Sequence, residues 1–295
     1  MLTESQVQQF HDRGYLLIPG FLSSGKATEL LERSKKLISQ FDPEAHPLTQ
    51  FTTSDQDHVG GNYFLDSADK ISFFFEPEAV QNVDGKMEVV VPKEEAINKF
   101  GHGLHLQDPL FEEVTVKNRN VKTIASDLGF KRPRALQSMV ICKQPRIGGA
   151  VPSHQDSVFL YTDPLSAVGF WIALGDATLD NGCLSFSPGS HLTHSVPKRF
   201  IRLKDQQGRD TGETGFEYFE GGKEMEEKWP KDETLPWDVV ECKAGDLVLI
   251  HGSVLHKSEA NKSGKSRFAY AFHLIEGKAN YDKRNWLQTE VFSEV

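Results

Sequence analysis

Cysteine is scarce in this chain, with three in 295 residues: Cys142, Cys183 and Cys242. The number is odd and no Cys-x-x-Cys pair occurs, which argues against a disulfide framework or a cysteine-built zinc site and fits a reducing compartment. Long apolar runs are missing too. None approaches the ~18 residues that a membrane-spanning helix needs. The opening MLTESQVQQFHDRG is too polar for a signal peptide, and the closing Phe292-Ser293-Glu294-Val295 is not a Ser-Lys-Leu peroxisomal address. Positive charge is in short supply as well. The formal net charge is −9 and the pI is near 5.7. General nucleic-acid binding requires clustered Lys and Arg, so it is not expected here.

What remains is ordinary globular material, with 38% hydrophobic and 25% charged residues. That is enough for a sizeable core. The length suits one domain spanning 1–295. Helical spacing is read over 3–13 up to Gly14, from Ser23 or Ser24 to about Phe41, and over Asn118–Leu128 before Gly129. Tyr15–Leu22 reads as a short apolar strand interrupted by Pro19-Gly20. Residues 42–98 are irregular. From about Arg134 short β-rich runs recur: Ala135–Lys143, Val168–Leu174, Cys183–Ser187, Trp237–Cys242, Asp246–His251 and Arg267–Ile275. Turn pairs such as Gly148-Gly149, Asn181-Gly182 and Pro188-Gly189 separate them. Many strands without intervening helices predict an antiparallel sandwich or jelly roll. The expected layout is a helical part over about 1–130 and a β core over about 131–280. Residues 202–235 are polar and read as a long surface insertion.

His154-Gln155-Asp156 stands at a strand edge after the Gly148-Gly149 turn. With 11 histidines and 42 acidic residues, chance alone supplies roughly 1.6 His-x-acid matches, so the motif needs context. On a strand, residues i and i+2 face the same way, so both side chains can point into one barrel. A third ligand from a distant strand would complete two imidazoles and a carboxylate, the donor set of non-haem Fe(II) oxygenases. His251 and His256 are both candidates. His251 ends an apolar strand and suits a core role equally well. Arg267 begins a strand on which Arg267, Ala269, Ala271 and His273 share a face. Small alanines beside an inward arginine leave room for a small acid, and guanidinium matches carboxylate geometry. An isolated arginine, by contrast, is more often half of an ordinary ion pair. The pairs His102/His105 and His191/His194 lack a His-Glu-x-x-His context and are read as core or loop residues. Phe73–Phe75 is read as core packing.

Taken together, His154-Gln155-Asp156, the Asn181-Gly182-Cys183-Leu184 to His191 stretch, and Gly245-Asp246-Leu247-Val248 through His256-Lys257-Ser258 to Arg267 resemble the phytanoyl-CoA dioxygenase family of iron- and 2-oxoglutarate-dependent oxygenases. Phe10–Tyr15 with Pro19–Leu22 resembles the family's opening. Phe73–Glu76, Ile97-Asn98-Lys99 and Asn285-Trp286-Leu287 extend the likeness over nearly the whole chain. The resemblance implies a mainly β fold with flanking helices, a double-stranded β-helix of the jelly-roll, cupin-like kind. It implies Fe(II) on His154, Asp156 and His256, chosen over His251 by the family's spacing to the arginine. It implies 2-oxoglutarate on Arg267 and Ser258, with Lys99, Met139 and Trp171 at further co-substrate positions. Without the resemblance, Lys99 reads as a surface lysine and Met139 and Trp171 as core.

The implied activity is hydroxylation of a C–H bond with O2, releasing succinate and CO2. The expected setting is a cytoplasmic monomer acting on a small molecule, with neither nucleic acid nor membrane as partner. Residues 42–98 and 202–235 are expected to shape substrate access. Two rival readings are a non-catalytic iron and 2-oxoglutarate sensor on the same scaffold, and a zinc or manganese cupin-like hydrolase or isomerase.

Overall fold

The computed structural model describes residues 1–50 and 61–295. Local signals explain the first helices. Thr3 and Gln6 form a capping box at the start of Glu4–Arg13, satisfying backbone donors that the first turn leaves open. The helix ends at Gly14, in the left-handed region at φ 81°. A Cβ there would come within 2.8 Å of Val254, so glycine is required twice over. Ser23 caps Ser24–Gln40, which buries Ala27, Leu30 and Ile38. Asn118 caps Arg119–Asp127, which buries Val121, Ile124 and Ala125.

Among the described residues, eight strands form the large antiparallel sheet. Its spatial order is Tyr15–Ile18, Leu247–His251, Val168–Ala173, Ala269–Glu276, Pro133–Ile141, Ile97–His102 and Ile71–Phe75, with Ser293–Glu294 also pairing on Pro133–Ile141. Four strands form the second sheet, in the order Asp238–Val240, Leu184–Phe186, His256–Ser258 and Val151–His154.

The large sheet is covered on both faces. On one side Phe10, Leu30, Phe111 and Ile124 from the helices pack with Val140, Phe170 and Phe272. On the other, Met139, Trp171, Ala269 and Ala271 meet Leu184, Phe186 and Val240 of the second sheet. That double cover is why Val168–Ala173 is buried at every position and reads as a continuous apolar run. Two antiparallel sheets closed face to face give the double-stranded β-helix expected from the sequence.

Two expectations need correction. The first 130 residues are not simply helical, because Tyr15–Ile18, Ile71–Phe75 and Ile97–His102 join the large sheet. Ile97–His102 escapes notice because INKFGH is half polar, and those polar groups turn inward. Nor is 202–235 a mere surface insertion. Lys198–Lys204 pairs with Asp210–Tyr218 as a hairpin, a short helix follows at Gly222–Glu226, and Phe216, Glu226 and Trp229 line the central cavity. In 42–98, the part over 51–60 lies outside the described residues. Phe74 and Phe75 are fully buried core residues, as expected. No described helix is long and apolar enough to cross a membrane.

Candidate metal centre and acid pocket

Val151–His154 and His256–Ser258 are antiparallel neighbours, and His154 lies directly opposite His256. Opposed residues on paired strands have close side chains, and the two ring centroids are 4.1 Å apart. Asp156 begins the single helical turn Asp156–Phe159 just past the strand. Its Oδ1 is 3.6 Å from His154 Nε2 and 3.6 Å from His256 Nε2. One ligand atom from each of the three lies within 4.8 Å of the others.

Both rings are oriented by the backbone. His154 Nδ1 is 2.9 Å from the Pro152 carbonyl and His256 Nδ1 is 3.1 Å from that of Val254. A carbonyl only accepts, so each Nδ1 carries the proton and each Nε2 turns a lone pair toward the centre. Burial works against charge on Asp156, but His256 and His273 when protonated, with the His154 contact, hold its carboxyl well below the usual range, and the hydrogen bond from His273 persists when the two ligand rings are neutral. The result is two neutral-nitrogen donors and one carboxylate with no thiolate. That donor set fits iron(II).

His251 is elsewhere. Its ring packs on Phe10 and His191, and its Nδ1 accepts the Ser253 N–H. Burial pushes its pKa down to about 4. Of the two sequence candidates, His256 is the one grouped with His154 and Asp156.

A cavity of about 380 Å³ opens on this centre, lined also by Lys99, Met139, Trp171, Ser258 and Arg267. All eight residues singled out from the sequence thus surround one space. Arg267 is 2% exposed. Its Nε and Nη1 have no partner among the described residues, and its Cζ sits 5.2 Å from the Trp171 ring centroid. Burial lowers its pKa to about 10, which still leaves a cation at neutral pH. A buried charge without a counter-ion is expensive. An acid bound in the cavity supplies one.

Three neighbours escaped the sequence reading. Lys143 Nζ donates to Ser258 Oγ at 2.9 Å, to the Gly149 carbonyl at 2.9 Å and to the Glu259 carbonyl at 2.7 Å. Burial and the nearby Arg267 push its pKa down to about 7. His273 and Gln137 also line the cavity. Strand alternation was the available signal for both, since His273 shares a face with Arg267 and Gln137 stands two before Met139. His105, His191 and His194 keep structural roles, bonded to Ser138, the His11 carbonyl and Thr193 respectively. His102 is buried and bonded to Ser67, as a core role requires, and it also borders the cavity.

A sequence profile described as Phytanoyl-CoA dioxygenase (PhyH) matches residues 10–269. The chain belongs to the phytanoyl-CoA dioxygenase family. An Arabidopsis thaliana protein named phytanoyl-CoA dioxygenase is 43% identical over 288 residues, covering 97% of this chain and 94% of that one. Phytanoyl-CoA dioxygenase domain-containing protein 1 of Rattus norvegicus is 42% identical over 293 residues, covering 97% and 95%. The fold is shared with the non-heme alpha ketoglutarate dependent carbocyclase SnoK from nogalamycin biosynthesis, with a TM-score of 0.65 and 19% identity over 100% of this chain and 96% of SnoK. It is shared also with EctD from S. alaskensis, solved with 2-oxoglutarate and 5-hydroxyectoine, with a TM-score of 0.59 and 15% identity over 98% and 81%.

Proposed function

We propose that this phytanoyl-CoA dioxygenase family member is a single-domain Fe(II)- and 2-oxoglutarate-dependent dioxygenase that hydroxylates a C–H bond of a small molecule. One observation carries the reading: the buried guanidinium of Arg267, whose Nε and Nη1 have no hydrogen-bond partner among the described residues, shares a cavity with the three-residue cluster His154, Asp156 and His256. The three would hold iron. Arg267 and Ser258 would grip the far carboxylate of 2-oxoglutarate, with Lys99, Met139 and Trp171 along its length. EctD, solved with 2-oxoglutarate, lends the assignment support.

When bound, iron with 2-oxoglutarate and O2 supplies the oxidising equivalent for C–H hydroxylation, giving succinate and CO2. The protein supplies position and shelter. Pro152 and Val254 fix the ligand tautomers, and the low pKa of Asp156 keeps its carboxylate available. Arg267 matches the diacid's charge in a bidentate fork. Phe159, Phe200, Phe216, Trp229 and Trp286 line the remaining walls and keep bulk water from the reacting centre. The acidic net charge and three buried free cysteines suit a cytoplasmic monomer whose partner is neither nucleic acid nor membrane. A zinc or manganese hydrolase leaves Arg267 without a task.

The test is an anaerobic titration with iron(II) and 2-oxoglutarate, followed by O2. Succinate release supports an oxygenase. Tight binding of both without succinate, under every substrate offered, would point to the sensor reading.

A further inference from the structure

Four cavity-wall atoms that neither the metal nor the acid serves have no partner among the described residues, namely Ser153 Oγ, Gln155 Oε1, His102 Nε2 and Gln137 Oε1, and the last two belong to adjacent strands of the large sheet. The first of these two is on His102. Ser67 Oγ lies 2.6 Å from the Phe64 carbonyl and 2.7 Å from His102 Nδ1. A hydroxyl has one proton, and a carbonyl can only accept it. Ser67 therefore donates to Phe64 and accepts from His102, which places the imidazole proton on Nδ1. Nε2 is left as a bare lone pair. It has no partner among the described residues, in a side chain that is 1% exposed and lines the cavity. Burial first, then the nearby Lys99 and His273, hold the ring neutral. Phe64, Phe74 and Trp286 pack around it at centroid distances of 6.0, 5.6 and 5.3 Å, so it has little freedom to swing toward solvent.

The second is on Gln137. His273 Nε2 gives its proton to Asp156, and His273 Nδ1 faces the Gln137 amide nitrogen at 3.3 Å. The amide nitrogen donates there, which leaves Oε1 as an acceptor without a donor among the described residues. Gln137 is 5% exposed and lines the same cavity. The two orphans sit on adjacent strands, since His102 pairs with Ser138, the residue after Gln137. Buried acceptors left unpaired are costly. Ionised 2-oxoglutarate has two carboxylates and a ketone and no donor, so it can satisfy neither. A bare hydrocarbon chain also leaves both unserved.

We propose that His102 Nε2 and Gln137 Oε1 form a substrate-recognition subsite, and that the substrate is an apolar-bodied molecule presenting a hydroxyl or N–H donor to it. The aromatic walls take the body and the two acceptors take the donor. A substrate lacking that donor is rejected because it strands the acceptors. This deepens the oxygenase reading and rests on it only for which molecule is oxidised.

The test uses the full chain, labelled with ¹⁵N-histidine, with zinc(II) and 2-oxoglutarate present so that no turnover occurs. Indole and benzofuran are the probes. They have nearly the same shape, and only indole has an N–H to donate. The long-range ¹H–¹⁵N spectrum should show His102 as the Nδ1–H tautomer before any probe is added. Indole should then bind roughly 5-fold or more tightly than benzofuran and shift the His102 Nε2 resonance. His102→Phe should erase the preference, while His102→Gln, which keeps an acceptor, should retain part of it. An Nε2–H tautomer in the unaltered chain, equal binding of the two probes, or indole binding without movement of the Nε2 signal would overturn the proposal. So would a failure of indole to bind. None of these readouts needs iron or turnover, so loss of the oxygenase reading would show up separately as absent succinate.

Discussion

His273 Nε2 lies 3.2 Å from Asp156 Oδ2 and donates its proton to that carboxylate. The bond leaves Asp156 Oδ1 facing His154 and His256. Partners of this kind orient a ligand, and their loss typically weakens metal binding ~10- to 100-fold. His273→Phe should show a loss of that size in an anaerobic iron titration, with an unchanged circular dichroism spectrum. Unaltered iron affinity would remove His273 from the support of the centre.

Arg267 reports on the acid rather than the metal. Arg267→Met should raise the dissociation constant for 2-oxoglutarate roughly 10- to 100-fold, from ~1.5–3 kcal/mol for a charge-assisted contact at ~1.4 kcal/mol per decade. Iron binding should be largely retained. Lys143→Met should give a smaller loss, because Lys143 touches the proposed acid site only through its bond to the Ser258 hydroxyl. Equilibrium dialysis with labelled 2-oxoglutarate measures both.

His256 and His251 are five residues apart and should behave differently. His256→Ala should abolish iron binding and turnover. His251→Ala, in a packed site away from the centre, should cost about 1–2 kcal/mol of stability and leave iron binding intact. The reverse pattern, read by iron titration and urea melts, would reassign the ligand.

Acid should destabilise the protein through its buried histidines. Burial pushes the His105 pKa from 6.5 down to about 4, and His105 is 1% exposed. Above 6.5 the folded and unfolded chains carry the same charge there, so no stability is lost. Between 6.5 and 4 the unfolded chain takes up a proton that the folded one refuses, and stability falls as pH falls. One such group contributes up to ~1.4 kcal/mol per pH unit across that window. In urea melts at pH 7, 6, 5 and 4, His105→Gln should show a shallower decline than the unaltered chain. Parallel declines would contradict a neutral buried His105.

Much of the candidate centre was legible from close spacing in sequence, since His154 ends a strand and Asp156 opens the helical turn two residues on, and Arg267 stands just before the strand that carries His273. The choice between His251 and His256 was not legible from local pattern, since one ends a strand and the other opens the next only five residues later. It depends on which strand lies opposite His154, a long-range pairing. Lys99 and His102 were hidden for a different reason. Their strand, Ile97–His102, is buried with its polar side chains turned toward a cavity, the reverse of the usual apolar-in pattern. Lys143 looks like any strand-end lysine until the fold brings the Gly149 and Glu259 carbonyls around it. The three longest described helices were readable because Thr3, Ser23, Asn118 and Gly14 mark their ends chemically, whereas the helices of four to six residues are too short to show a period.

Anomalous diffraction at the iron edge tests the central claim most directly, using crystals grown without oxygen in iron(II) and 2-oxoglutarate. The expected result is one peak bounded by His154 Nε2, an Asp156 oxygen and His256 Nε2, with a carboxylate of the acid on Arg267. Iron bound elsewhere, or the acid lying away from Arg267 with the three ligands bare, would contradict it.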